Sequence, residues 1–224
     1  MTEERFEAVD RYLGELYVPA EDALTATLAA NAAARLPAIA VSPMQGKLLQ
    51  ILARMVGARR ILEVGTLGGY STLWLAGALP ADGRLITLEL DARHATVARA
   101  NFVRAGLADR IEVREGPALK SIEALHAEGA DPFDFFFIDA DKVNSPNYVT
   151  WALKLAHPGS VIVIDNVIRD GAIIDPNSRD PAVLGTRRLH DLLASEPRLS
   201  ATAIQTVGDK GYDGFAIALV IADP

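Results

Sequence analysis

Cysteine is absent from all 224 residues. Disulfides, thiolate metal sites and a cysteine nucleophile are therefore excluded, and the composition fits a reducing, cytoplasmic setting. Basic residues are the minority: 22 Lys and Arg stand against 29 Asp and Glu, a formal charge of −7. A non-specific nucleic-acid footprint needs the opposite balance, because Lys and Arg must neutralise phosphates. No apolar run reaches the length of a membrane span, each being broken by charge or glycine. The opening residues Met1-Thr2-Glu3-Glu4-Arg5 carry no apolar h-region, so no secretory signal is expected. Neither a G-x-S-x-G elbow nor a G-x-x-x-x-G-K-[ST] phosphate loop occurs. His94, His126, His157 and His190 lack metal-ligand spacing and read as exposed or helix-end residues. Arg59-Arg60 and Arg187-Arg188 are too isolated for a nucleic-acid patch.

What is present is apolar: half of all residues, enough for a sizeable core. Residues 1–56 read as a helical extension. Phe6, Val9, Tyr12, Leu13 and Leu16 recur at helical spacing until Pro19 stops the run. A second helix is expected from Glu21 to Leu36, ended by Pro37. A third begins at Ser42, where Pro43 and Gln45 complete a capping-box pattern.

From residue 57 the pattern alternates. Apolar runs at 60–64, 84–90, 110–115, 133–139 and 160–165 are separated by helical segments at 70–79, 91–105, 118–127, 147–156 and 182–195. Continuous apolar strands between helices mean a parallel sheet covered on both faces. Two further strands, 199–207 and 213–221, are joined by Gly208-Asp209-Lys210-Gly211-Tyr212, too short for a crossover, and should pair antiparallel. Trp74 and Trp151 fall on apolar helix faces and read as core. No linker or repeat appears, so residues 1–224 are expected to form one domain, 57–224 being its Rossmann-like core. The stretch from Asn166 to Pro181 is read as irregular, and loops of that length are usually functional.

Chemistry gathers at strand ends. The first strand runs into Glu63-Val64-Gly65-Thr66-Leu67-Gly68-Gly69-Tyr70-Ser71. Glycines at such a turn let a ligand approach the backbone at the carboxyl ends of parallel strands. The next strand ends in Glu89, placed to accept hydrogen bonds from ribose, with Asp91 capping the following helix. The pattern is not G-x-G-x-x-G, since Leu67 takes the second glycine position. Glu63 would repel a pyrophosphate but suits an ammonium group, such as that of S-adenosylmethionine (SAM).

The fourth and fifth strands end in Asp139-Ala140-Asp141-Lys142 and Asp165-Asn166. Neighbouring strands lie about 4.8 Å apart, which would gather Asp139, Asp165 and Asn166 around one point. Two carboxylates and an amide oxygen suit Mg²⁺, with Mn²⁺ or Ca²⁺ as alternatives. Lys142 at the same crevice is a candidate general base. Arg169 and its neighbour Asp170, in the long loop, are candidate substrate contacts. The guanidinium could stack on an aromatic acceptor or pair with a carboxylate on it.

In combination, LEVGTLGGYSTLWLA, LITLELD, REGPAL, FIDADK and IDN resemble the cation-dependent class I O-methyltransferases, the family of catechol and caffeoyl-CoA O-methyltransferases. The resemblance spans residues from about 41 to the last strand. It implies a Rossmann-like α/β fold with a seven-stranded, mostly parallel sheet, an antiparallel last strand and helices on both faces. It implies that Glu63, Gly65 and Thr66 contact the methionine moiety of SAM and Ser71 its carboxylate region. Glu89 would bind the ribose, Ala118 would line the adenine pocket and Val41 would pack on the cofactor, with Asp139 serving cofactor and metal together. Asp139, Asp165 and Asn166 would hold the cation and Lys142 would be the base. The substrate implied is a phenolic, catechol-like small molecule, and a homodimer is implied as well.

Two departures bear on the acceptor. Plant members carry an aromatic residue where this chain has Arg169, and a tyrosine where it has Ser145-Pro146. Two other readings stay open at this level. One is an NAD-dependent dehydrogenase, which shares the βαβ unit and ribose acid. The other is a tRNA-modifying member of the same family, which the acidic balance disfavours.

Overall fold

In the computed structural model, residues 3–18 and 22–223 are described. The apolar runs become strands because the parallel sheet buries both faces of its central members: every residue of β4 (Phe135–Ile138) and β5 (Val161–Asp165) is buried. With β1 (Arg60–Val64), β2 (Arg84–Glu89), β3 (Ile111–Glu115), β6 (Leu199–Thr206) and β7 (Asp213–Val220) they form one seven-stranded sheet, ordered β3-β2-β1-β4-β5-β7-β6. The first five strands are mutually parallel, and β7 runs antiparallel to both β5 and β6.

Period-two alternation sorts side chains between two cores. Phe135 and Phe137 face α3 (Pro43–Met55), α4 (Tyr70–Ala76) and α5 (Ala92–Arg104). Phe136 and Ile138 face α6 (Ala118–Ala127), α7 (Ser145–Lys154) and α8 (Pro181–Ser195). Ahead of these lie α1 (Glu3–Tyr17) and α2 (Asp22–Ala33). No helix among the described residues is long and apolar enough to cross a membrane.

Local signals decide several boundaries. Ser42 caps α3, its Oγ accepting the Gln45 N–H at 3.2 Å. The return half of the capping box is missing, because the Gln45 side chain is drawn to a different partner. Helix α2 ends at Ala33, before Leu36, because Arg35 takes a left-handed conformation (φ 55°). The Leu36 N–H then reaches Asn31 O at 2.9 Å, closing a Schellman-type stop. Pro19 and Glu21, expected to end the first helix and begin the second, lie outside the described residues.

Three expectations need correction. The stretch after Asn166 is not wholly irregular: Arg169–Ile174 forms 3₁₀ structure, kinked where Asp170 and Gly171 are left-handed. His190 lies mid-helix and half-buried in α8, where its Nε2 meets Val167 O at 2.8 Å, so it is neither exposed nor at a helix end. Trp74 is core, but Trp151 is only partly buried, with the Lys154 ammonium 3.8 Å from its ring centroid.

Candidate functional site

Parallel packing puts the carboxyl ends of β1, β2, β4 and β5 on one edge, and a cavity of about 1040 Å³ opens there. That is generous for a cofactor and a small acceptor together. Val41, Gly65, Thr66, Ser71, Glu89 and Ala118 line one part of it, and Asp139, Lys142, Asp165, Asn166 and Arg169 another.

At the β2 end, Glu89 is held by the glycine turn itself. Its Oε2 accepts the N–H groups of Thr66 (3.1 Å) and Leu67 (2.8 Å), and its Oε1 accepts that of Asp91 (2.9 Å). Asp91 caps α5, accepting the Arg93 N–H at 2.7 Å. The glycines of the turn are demanded by the protein's own packing. A Cβ on Gly65 would lie 2.0 Å from Asp139 O, and one on Gly69 would lie 2.4 Å from the Phe102 ring.

Glu63 does not reach the cavity wall. Fully buried behind the turn, it accepts hydrogen bonds from Ser71 Oγ (2.6 Å), Thr87 Oγ1 (2.7 Å) and Thr72 Oγ1. Thr66 Oγ1 lies 2.6 Å from Thr87 Oγ1, extending the chain of hydroxyls to the cavity. Burial pushes the Glu63 carboxyl up from 4.5 to about 7, against the pull of its three hydroxyl donors. Glu63 therefore lies behind the cavity wall, hydrogen-bonded to Ser71 and linked through Thr87 to Thr66, both of which line the cavity.

Strand register brings the acidic pair together: Ile138 pairs with Ile164, so Asp139 and Asp165 follow side by side. Lys142, whose side chain is 10% exposed, donates from Nζ to Asp139 Oδ1 at 2.9 Å. Asp165 accepts the Asn166 N–H on Oδ1 (2.8 Å) and the Gln45 Nε2 on Oδ2 (2.6 Å). Burial first, then the Asp139 charge, raises the Asp165 carboxyl above its ordinary range. Asn166, left-handed at φ 57°, lies at the same cavity wall. Among the described residues no cluster of three or more His, Cys, Asp or Glu could hold a metal. The donor set expected from the sequence, Asp139, Asp165 and Asn166, has two carboxylates and an amide. Its hard oxygen chemistry, with one lysine offsetting two acids, fits a hard divalent cation.

Arg169 lines the cavity, with its N–H on Asp213 Oδ1 at 3.0 Å and its Nη1 3.9 Å from Asp213 Oδ2. Asp170 does not join it: exposed and left-handed, it lies off the cavity wall, because the kink in the 3₁₀ segment turns it outward. Several other wall residues were not foreseen, four of them polar side chains that bear on the chemistry. These four are Gln45, His94 (Nδ1 3.5 Å from Glu89 Oε1), Tyr148 and Lys210. Tyr148 donates its hydroxyl to Asp141 Oδ1, and burial with that partner pushes its ionisation upward. His94, in the first turn after the Glu89 strand, is the one whose sequence position signalled it.

A family model described as O-methyltransferase matches residues 18–218. A catechol O-methyltransferase of Niastella koreensis is 51% identical over 220 residues, spanning 98% of this chain and all of that protein. A catechol O-methyltransferase of Mycobacterium tuberculosis is 53% identical over 212 residues, 95% of this chain and 94% of the other. The crystal structure of an O-methyltransferase from Bacillus cereus in complex with SAH superposes with a TM-score of 0.96 at 56% identity, covering 98% of this chain and all of that one. These matches set the dehydrogenase reading aside. The glycine turn, the acid ending β2 and the reversed strand β7 have a common explanation: the chain belongs to the O-methyltransferase family and is a SAM-dependent O-methyltransferase of class I fold.

Proposed function

We propose that the enzyme transfers a methyl group from SAM to one oxygen of a vicinal dihydroxy-aromatic acceptor, in a reaction that depends on a divalent cation, Mg²⁺ by preference. One observation carries this reading: Asp139, Asp165, Asn166 and Lys142 converge on the same cavity as Glu89 and the glycine turn. The names of the two curated relatives support the acceptor class.

Asp139, Asp165 and Asn166 would hold the cation, which when bound supplies positive charge beside the acceptor oxygens and lowers the pKa of the reacting hydroxyl. Lys142 Nζ, as the neutral amine left after it has given up its own proton, would take that hydroxyl's proton. Gly65, Thr66, Ser71, Glu89, Ala118 and Val41 would bind the donor and aim its methyl carbon at the oxygen. Alignment of this kind can contribute roughly 7–11 kcal/mol to lowering the barrier.

The test is turnover of catechol after exhaustive chelation. Loss of turnover restored by Mg²⁺ or Mn²⁺ supports the reading, and full activity in the chelated enzyme refutes the cation. We also read the chain as a cytoplasmic homodimer. The exposed apolar residues Val9, Tyr12 and Leu16 of α1 offer it a surface, and sedimentation velocity decides the oligomeric state.

A further inference from the structure

Gly68 lacks a side chain because α2 occupies the space that one would fill. A Cβ there would lie 1.9 Å from Asn31 Oδ1 and 2.4 Å from Asn31 Nδ2, and its three nearest atoms all belong to Asn31. Asn31 is 6% exposed and Asn101 of α5 is 1% exposed, so two amides are buried behind the turn. Asn101 Nδ2 donates to Gly68 O (2.8 Å) and to Asn31 Oδ1 (3.2 Å). Arg104 Nη1 donates to Asn101 Oδ1 and so fixes which way that amide points. Asn31 Nδ2 has no hydrogen-bond partner among the described residues.

Burying an amide with an unpaired donor is unfavourable, and an apolar residue would pack α2 without that cost. The amide makes sense as a wedge. It bears on Gly68 while Asn101 holds both the Gly68 carbonyl and the Asn31 amide oxygen. The same turn offers the Thr66 and Leu67 N–H groups to Glu89 on the cavity side.

We propose that Asn31 is a positioning residue for the cofactor: its contact with Gly68 couples the docking of α2 to the binding of SAM at the glycine turn. The inference rests on SAM occupying that turn. By linkage the coupling is reciprocal, so cofactor binding must tighten α2 as much as α2 tightens the cofactor.

The test is a double-mutant cycle on SAH affinity, measured by calorimetry with wild type, Asn31→Ala, Gly68→Ala and the double variant. Gly68 lies outside the left-handed region, and the three atoms nearest an alanine Cβ there all belong to Asn31. Gly68→Ala should weaken SAH binding at least tenfold, and adding Asn31→Ala should recover threefold or more. In Asn31→Ala alone the loss should fall on KM for SAM, whereas general loosening would lower kcat as well. Losses that simply multiply in the double variant overturn the proposal.

If Gly68→Ala fails to fold, hydrogen exchange in wild type and Asn31→Ala gives the answer. SAH should slow amide exchange across residues 22–33 in wild type and much less in Asn31→Ala; equal slowing, or none, overturns the coupling. Glu89→Ala separates the two levels. If it leaves SAH affinity unchanged, the placement of the cofactor at the turn falls, and the coupling with it. If it weakens SAH while the cycle shows no coupling, only the role of Asn31 falls.

Discussion

Gln45 Nε2 donates a hydrogen bond of 2.6 Å to Asp165 Oδ2, tying the first turn of α3 to the end of β5. With the Asn166 N–H on the other oxygen, both carboxylate oxygens of Asp165 are oriented before any cation arrives. Outer partners of this kind typically change metal affinity 10–100-fold. Gln45→Ala is therefore expected to weaken Mg²⁺ or Mn²⁺ binding by roughly that factor, read by calorimetry, while SAM affinity stays close to wild type. Unchanged cation affinity would show that the bond only anchors α3.

Lys142 is held from two directions. Its ammonium bonds Asp139, and its backbone is pressed by α8, where a Cβ on Gly185 would lie 2.3 Å from Lys142 O. Lys142→Arg keeps the charge but removes a usable proton acceptor, since arginine stays protonated in proteins. We expect kcat to fall about 10²–10⁴-fold with a smaller effect on SAM affinity. Wild-type turnover in this variant would take the lysine out of the chemistry.

The order of strands and helices was legible in the sequence because fully buried parallel strands leave unbroken apolar runs such as Phe135–Ile138. The Ser42 cap was legible because capping is local. Contacts distant in sequence were not. Gln45 and Asp165 lie 120 residues apart, and nothing in the capping-box pattern tells where the glutamine amide goes. The glycine turn was recognisable, but nothing in it told that the space beside Gly68 belongs to Asn31, 37 residues earlier in the chain. Glu63 was found as a carboxylate at the right strand end. That it faces three hydroxyls and not the cavity follows from which side of β1 it occupies beside Thr87 and α4.

Glu63 makes stability depend on pH. Its folded-state value of about 7 lies above the ordinary 4.5, so between those limits the folded chain binds the proton more tightly than the unfolded chain does. The stability this gives is fully present below about pH 4.5 and is lost as pH rises through 7. The difference amounts to something on the order of 3 kcal/mol. Urea unfolding from pH 5 to 8 should show wild-type stability falling relative to Glu63→Gln, which cannot ionise. Parallel pH profiles for the two proteins would mean that the hydroxyl donors already compensate the buried charge.

We propose that Arg169, which lines the cavity, helps to choose among acceptors. Its backbone is pinned to Asp213 and its left-handed φ of 55° fixes where the side chain starts. Its Nη1 lies 3.9 Å from Asp213, too long for a tight pair, and its buried Nε has no hydrogen-bond partner among the described residues. Among the described residues the guanidinium makes no closer polar contact than this one, and Arg169 lines the cavity. A catechol bearing a carboxylate, such as 3,4-dihydroxybenzoate, should be preferred over plain catechol. A charge-assisted pair of about 1.5–3 kcal/mol corresponds to a preference of roughly 10–150-fold in kcat/KM. Arg169→Ala should erase that ratio while leaving kcat/KM for catechol largely intact. Four measurements suffice, two acceptors with two proteins, because specificity is a ratio of kcat/KM values. If the substitution lowers both acceptors equally, or neither, the arginine holds the loop to Asp213 and does not select the substrate.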